Sequence, residues 1–258
     1  MIACLTPDWP DAPDNIGALA TLRGGGVSGA PYGDGNAGGG LNLGLHVGDR
    51  PEHVLHNRQS LQALLPGPPT WLAQVHGTAV VQAGLPGPAV AQADASFSAV
   101  RGAVCAILTA DCLPVLLCDA QGSVVAAAHA GWRGLAAGVL GRTVAAMRAA
   151  GAGEILAWLG PAIGPQQFEV GSDVRLAFIG GAADAAAVQQ LAAAFAPIPG
   201  RPGKYLADIY SLARALLQQG GVQRIAGGQS CTVSEPLRFY SYRRDAVTGR
   251  QASLIWRK

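Results

Sequence analysis

Three apolar runs crowd into residues 103–134, AVCAILT, LPVLLCD and SVVAAAHA, and they restrict the fold more than any other stretch of the chain. A strand with one wet face alternates apolar and polar residues. Runs that are apolar throughout must be covered on both faces, which calls for a layered α/β or α+β sandwich with these strands in its core. The runs also end in reactive side chains: Asp111 and Cys112 follow the first, and His129 closes the third, just before Gly131-Trp132-Arg133-Gly134. Rigid strands hold functional groups more narrowly than loops do, so the stretch reads as a scaffold presenting a carboxylate, a thiol and an imidazole. Residues 119–122, DAQG, have turn composition, and the runs read as a core hairpin in which Pro114 is expected to interrupt pairing and re-aim its neighbours.

Around this core, strand and helix patterns alternate irregularly. Residues 16–22 read as a strand and 23–29, RGGGVSG, as a loop whose glycines permit close approach to a ligand, with Arg23 and Ser28 as candidate anion contacts. A helix is expected to start at Pro51, with Val54, Leu55, Leu61, Leu64 and Leu65 on its core face, a face that need not include Asn57 and Arg58. TWLAQV at 70–75 reads as a strand running into His76-Gly77, and AVVQA at 79–83 as a second one, followed by a Gly/Pro/Ala loop. Asp94-Ala95-Ser96 suits either a cap or a binding contact, of which capping is the simpler explanation. One long helix is expected over 135–150, its start beside the reactive residues, and one or two helices over 173–195, interrupted at Gly180-Gly181. Further strands fit 154–160, QQFEVG, VQRIAG and the final ASLIW, and a helix begins near Asp208. Arg243 and Arg244, following aromatics, suit an anion clamp. No linker or internal repeat divides residues 1–258, which read as one domain.

A chain of 258 residues can build a core that needs neither disulfide nor structural metal. Five cysteines without a CxxC pair read as free thiols in a reducing compartment. A net charge of +2 with 13% charged residues offers no basic stripe for nucleic acid, so the expected partner is a small molecule. No apolar run reaches the roughly 18–20 residues of a membrane span, and MIACLTPDWPDAPDN lacks the basic and apolar regions of a secretory signal. The expectation is a cytoplasmic protein, away from membranes, as a monomer or small homo-oligomer.

The chemistry-bearing set is His76, Asp111, Cys112 and His129. Two imidazoles and a thiolate hold Zn²⁺ with a fourth position open, the pattern of a catalytic site. The same ligands suit copper, and a metal-free reading makes Cys112 a nucleophile with His129 as its base. Residue types alone leave these alternatives open.

The segments NLGLHVGD, QVHG, TADCLPVLL, AAHAGWRG, GPAIGPQQFEVG, CTVSEPLRFYSYRRD and TGRQASLIW together closely resemble the laccase-domain family. Its members were formerly called multicopper polyphenol oxidases, are also named peptidoglycan editing factors, and are now described as purine nucleoside phosphorylases. The resemblance runs from about Arg23 to Trp256 and is weakest over 30–40. It implies a layered α/β/α domain similar to the catalytic domain of cytotoxic necrotizing factor toxins, and a zinc site on His76, Cys112 and His129. It also implies phosphorolysis of adenosine, inosine and methylthioadenosine, and deamination of adenosine. On that reading Asp111 carries protons, Asn42 contacts sugar or base, and Arg58, Arg23, Arg243 or the helix start at 131–134 holds phosphate. Three rivals stand beside it: a copper-dependent polyphenol oxidase, disfavoured by a chain with two Met in all; a cysteine amidase of peptidoglycan maturation; and a non-enzymatic binding module.

Overall fold

Strand Val104–Thr109 sorts its side chains by parity, and that sorting sets the architecture. Val104, Ala106 and Leu108 pack outward with Leu19, Leu41, Leu43, Leu61 and Leu254. Cys105 and Ile107 turn the other way and meet Leu116, Cys118, Val125, Ala127, Leu156 and Trp158. Those partners belong to a second sheet. The structure, a computed structural model describing residues 2–85 and 90–258, thus holds two sheets face to face. The five-stranded sheet runs Cys4–Leu5, Ile16–Thr21, Gln251–Arg257, Val104–Thr109, Pro69–Thr70 in spatial order. The six-stranded sheet runs Arg224–Gly227, Ile155–Leu159, Leu113–Asp119, Val125–Ala130, Ala95–Ser98, Val80–Gln82.

Helices close both outer faces. Pro51–Gln62 covers the five-stranded sheet through Leu61. Val139–Ala149 and Ile209–Gln219 cover the six-stranded sheet, setting Leu140, Val144, Met147, Leu212 and Leu217 against Val115, Leu117, Ala126 and Ala128. The α+β layered sandwich expected from the apolar runs is present, with two sheets between the helical layers.

Several local expectations change. AVCAILT and LPVLLCD lie in different sheets, so the hairpin is confined to Leu113–Asp119 and Val125–Ala130, and residues 110–112 carry the chain from one sheet to the other. Pro114 does not interrupt the hairpin, where it pairs with His129. Its carbonyl accepts from Gly160 N at 2.9 Å, and because N and O of one strand residue point to the same side, the missing N–H falls beyond the end of Ile155–Leu159. The helix expected over 135–150 is two, Trp132–Ala136 and Val139–Ala149, divided where Gly138 takes φ +93. TWLAQV breaks into Pro69–Thr70 and Leu72–Ala73 before His76, and part of the Gly/Pro/Ala loop, residues 86–89, lies outside the described residues.

The glycine-rich segment after Arg23 is a strand, Gly24–Ser28, and the reason lies in Asn57. Its Oδ1 accepts from Val27 N at 3.0 Å, and its Nδ2 donates to Ser28 Oγ at 3.0 Å, Gly40 O at 3.1 Å and Asn42 O at 2.9 Å. A Cβ on Gly26 would overlap Asn57 Oδ1 and Gly40 O. The helix therefore turns Val54, Asn57 and Leu61 inward and leaves Leu55 56% and Leu64 51% exposed, correcting the expected face. Asn57→Ala would strand buried backbone groups at about 1–3 kcal/mol each, and we expect an overall loss of about 2–4 kcal/mol. A urea midpoint lowered at constant slope is the readout; an unchanged midpoint contradicts this role for Asn57.

Candidate active site

Where the chain passes between sheets, Asp111 adopts φ +92, a left-handed conformation that L-residues other than glycine seldom take. Bonds on every side hold it there. Thr232 Oγ1 donates to one carboxylate oxygen at 2.6 Å, Arg243 N donates to the other at 2.6 Å, and Ile163 N donates to the Asp111 carbonyl at 2.9 Å. The turn delivers Cys112, half-buried, into the space at the end of the sandwich. His129 arrives by parity: Val125 and Ala127 of its strand face the other sheet, and so does His129 two residues on.

His76 comes from a tight turn and also lies in the left-handed region, at φ +61. Its conformation is dictated by Asp94, whose side chain is fully buried. The backbone N–H groups of Val75, His76 and Gly77 all donate to the Asp94 carboxylate, at 3.2, 2.9 and 2.7 Å. The same carboxylate accepts from His129 Nδ1 at 2.8 Å, which leaves Nε2 of His129 free to face the cluster. Burial would push the Asp94 carboxyl up, but the ring N–H of His129 and the N–H of Gly77 outweigh it and hold it below the usual range.

One ligand atom each from His76, Cys112 and His129 lie within 4.8 Å of one another, and Cys112 Sγ sits 3.7 Å from His76 Nε2. A tetrahedral ion at Zn–S and Zn–N distances of about 2.3 and 2.05 Å would separate S and N by about 3.6 Å, so the spacing fits a metal of that kind. Room for it depends on Gly131, where a Cβ would lie 2.8 Å from His76 Cδ2 and 3.0 Å from Cys112 Sγ. The thiol is prepared as a ligand. Burial would raise it, yet His129 and His76 draw it down to about 6, while Cys112 and Asp94 outweigh the burial of His129 and raise it to about 9.

The three residues open into a cavity of about 470 Å³. Leu72, Leu108, Ile163, Phe168 and Ile209 are its apolar lining, Arg133, Arg243 and Arg250 its cationic lining, and the His46 imidazole joins them. Asp111 lines it too, so the carboxylate expected to carry protons also anchors the turn that bears Arg243. Arg243 sits at the wall, its Nη1 donating to the carbonyls of Gln167 and Glu169. Arg58 lies behind His46, stacked 4.3 Å over Trp71, with Nε on Leu43 O at 2.9 Å; burial lowers it to about 10.

Two expected contacts do not reach the cavity. Asn42 is fully buried, bonded to Asp49 and Gly44 and accepting from Arg250 N at 2.9 Å, so it supports the wall instead of touching a ligand. Arg23 is 8% exposed and donates to the carbonyls of Gly33 and Pro236, so its charge is spent inside the fold. The helix start at 131–134 opens a helix of five residues and has little dipole to offer an anion. Asp94, His46 and Arg250 were missed as site residues. The only trace of Asp94 in the sequence is its cap-like DAS context, and the other two lie inside quoted motifs without a local chemical signature.

An α+β sandwich with a His–Cys–His cluster on the floor of a cavity defines a class of candidate metalloprotein. The chain belongs to the family described as multi-copper polyphenol oxidoreductase laccase, whose model matches residues 17–258. It is 53% identical to purine nucleoside phosphorylase PA4543 of Pseudomonas aeruginosa over 257 residues, 99% of each chain. It is 52% identical to purine nucleoside phosphorylase YfiH of Escherichia coli over 258 residues, again 99% of each. Among solved structures it is similar to NMB0706 of Neisseria meningitidis, with TM-score 0.87, 46% identity and 99% coverage of both chains. YlmD of Geobacillus stearothermophilus matches at TM-score 0.82 and 30% identity, covering 96% of this chain and 94% of that one.

Because Asp94 orients one imidazole and the backbone of another, Asp94→Asn should weaken divalent-metal affinity about 10–100-fold. Competition against a chelator of known affinity measures this; wild-type affinity in the folded variant contradicts it.

Proposed function

We propose that this chain is a zinc-dependent purine nucleoside phosphorylase that converts adenosine, inosine or S-methyl-5'-thioadenosine, with phosphate, to the free base and the sugar 1-phosphate, and that it also deaminates adenosine. The observation that carries the reading is the ligand trio His76, Cys112 and His129 in one cavity lined by both apolar and basic residues. About 470 Å³ is within the range of small-molecule sites and suits a nucleoside beside an anion. The relatives named purine nucleoside phosphorylase, matched over nearly the whole chain, support the substrate class.

His76, Cys112 and His129 would hold the ion, which when bound supplies Lewis acidity at the cavity floor. Asp94 keeps His129 in the tautomer that points Nε2 inward, and Gly131 leaves the ion its space. In phosphorolysis a phosphate oxygen bonds to the anomeric carbon as the C–N bond breaks, and its electron pair leaves with the purine, which takes up a proton. Leu72, Leu108, Ile163 and Phe168 exclude water from the reacting carbon. Arg243 and, from behind, Arg58 supply charge for phosphate, and Asp111 is the carboxylate at the wall to which we assign proton transfer. Zinc is preferred to copper because the reaction moves no electrons between metal and substrate, and because one three-ligand group is present among the described residues. Free cysteines, and the absence among the described residues of a helix long and apolar enough to cross a membrane, support action in the cytoplasm.

A nucleoside panel with phosphate varied and metal content measured tests the reading. Phosphate-dependent release of base is expected, and its absence from metal-loaded protein refutes the assignment. His76→Ala should shed most of its zinc yet stay folded, since the core stands without the ion; full retention would sink the ligand set. Arg58→Ala should raise the phosphate requirement more than it lowers zinc content; a phosphate KM equal to that of the wild type would rule Arg58 out as a phosphate holder. One observation favours a second reading: Cys112, His129 and Asp94 form a thiol–imidazole–carboxylate series, with the thiol drawn down to about 6, as a cysteine amidase would need. Amide hydrolysis that survives complete chelation would select it.

A further inference from the structure

The arginines around the cavity differ in what already occupies them. Arg23 is bonded to two carbonyls and faces Asp245 at 3.8 Å, and Arg244 is spent on Asp245 and on three carbonyls. Arg243 shares Nη1 between Gln167 and Glu169, and Arg133 is exposed and lies over Trp132. Arg243 thus uses Nη1 alone but is exposed, whereas Arg250 combines equally sparse bonding with partial burial. In Arg250 Nη1 alone is used, on the carbonyls of Thr248 at 3.1 Å and Gly249 at 2.9 Å. Among the described residues, Nε and Nη2 have no acceptor and no carboxylate pairs with the side chain, although Arg250 is half-buried and lines the cavity.

Neither Nε nor Nη2 is among the unpartnered atoms sealed from solvent, so this edge is open to the cavity and available to an anion that enters it. The fold holds that edge in place. Asn42 Oδ1 fixes the backbone N–H of Arg250 at 2.9 Å, and Gly44 allows its stem to pass, since a Cβ there would lie 2.8 Å from Arg250 Cγ. His46 stands beside it at the wall, with Arg58 close enough for both arginines to disfavour a charge on the imidazole. Arg250 lines the same cavity as Cys112 and Asp111.

We propose that Arg250, with His46 beside it, seats the attacking phosphate: the free Nε–Nη2 edge takes two oxygens in a fork and the imidazole a third. This rests on the phosphorylase reading, and it makes Arg58 a supporting charge behind the seat. The ligand chemistry is a tetrahedral oxyanion, which a paired planar donor edge recognises better than a point charge does.

Inorganic phosphate is the probe, with wild type, Arg250→Met, Arg250→Lys, His46→Gln and Gly44→Ala compared at equal zinc content. The wild type should gain thermal stability as phosphate is added, and Arg250→Met should lose that gain. With saturating inosine, Arg250→Met should raise the phosphate KM by about tenfold or more while the inosine KM stays within about twofold. Arg250→Lys should recover only part, because it restores charge without the fork, and His46→Gln and Gly44→Ala should raise the phosphate KM to a lesser degree. An unchanged phosphate KM in Arg250→Met, or equal rises in both KM values, overturns the seat. If Arg250→Met does not fold, His46→Gln and Gly44→Ala decide, and an unchanged phosphate KM in both overturns it. Wild type that releases no base with phosphate refutes the phosphorylase reading instead. Stabilisation by phosphate that Arg250→Met abolishes would then still establish the seat, and its absence in the wild type would refute it.

Discussion

The site depends on one buried carboxylate. Asp94 ends the loop before Ala95–Ser98, fully out of water, and an ionised group there survives only if its lone pairs are filled. Three successive backbone N–H groups and one imidazole N–H fill them. The same four bonds fix two of the three ligands: His129 by its ring and His76 by its backbone. Left-handed backbone at a residue other than glycine costs about 1–3 kcal/mol, and at His76 it accompanies three successive N–H groups on one carboxylate. Asp111, at the third ligand's turn, is held in the same region by Thr232, Arg243 and Ile163. Both turns that present ligands carry such strain, as Asp11, Ala37 and Ala246 do elsewhere, and charge-assisted bonds offset it at the two ligand turns.

These bonds tie the site to the end of the chain. Strand Gln251–Arg257 lies between Ile16–Thr21 and Val104–Thr109, inside the five-stranded sheet, not at its edge. The segment leading to it supplies Thr232, Tyr242, Arg243 and Arg250 to the cavity or its supports. This part of the cavity wall and the central strand are one continuous piece of backbone, so Arg243 and Arg250 are brought to the cavity by the segment that ends in the docked strand. Such pairing between distant parts of the chain is slow to form, yet once made it holds the wall rigid.

What could be read from the sequence followed rules that act over a few residues. Apolar runs gave the core strands, Asp208 gave the cap of Ile209–Gln219, and Gly180-Gly181 gave the break before Ala185–Ala192. His76, Cys112 and His129 stood out as reactive groups at strand ends, and the ordered motifs of the family grouped them as ligands. What escaped were bonds between distant residues. Asn57 looked like a surface position because an amide on a helix carries no mark of the four partners that bury it, the farthest 30 residues away. Which sheet takes Val104–Thr109 was equally hidden, since an all-apolar run fits any buried position. Arg23 looked available because it opens a glycine-rich segment, and Asn42 was assigned through the family resemblance; only the fold reveals that both are already bonded within the chain.

The distribution of charge around the cavity follows from the same accounting of partners. With a net charge of +2 the chain exerts little field at a distance, so any anion must be captured by local donors. Cys112 and Asp111 are the negative groups at the wall, and Asp111 is engaged by Thr232 and Arg243. Positive groups at the wall and just behind it outnumber these two, and Arg58 and Arg250 have no carboxylate partner among the described residues. The apolar residues of the lining offer nothing to an anion and much to a flat, neutral ring. A lining of both kinds suits a pair of ligands, one neutral and one anionic. Arg250 rests on Asn42 and Gly44 and the two histidine ligands on Asp94 and Gly131, whereas Asp111 joins the parts, since it holds Arg243 N and bears the turn that presents Cys112.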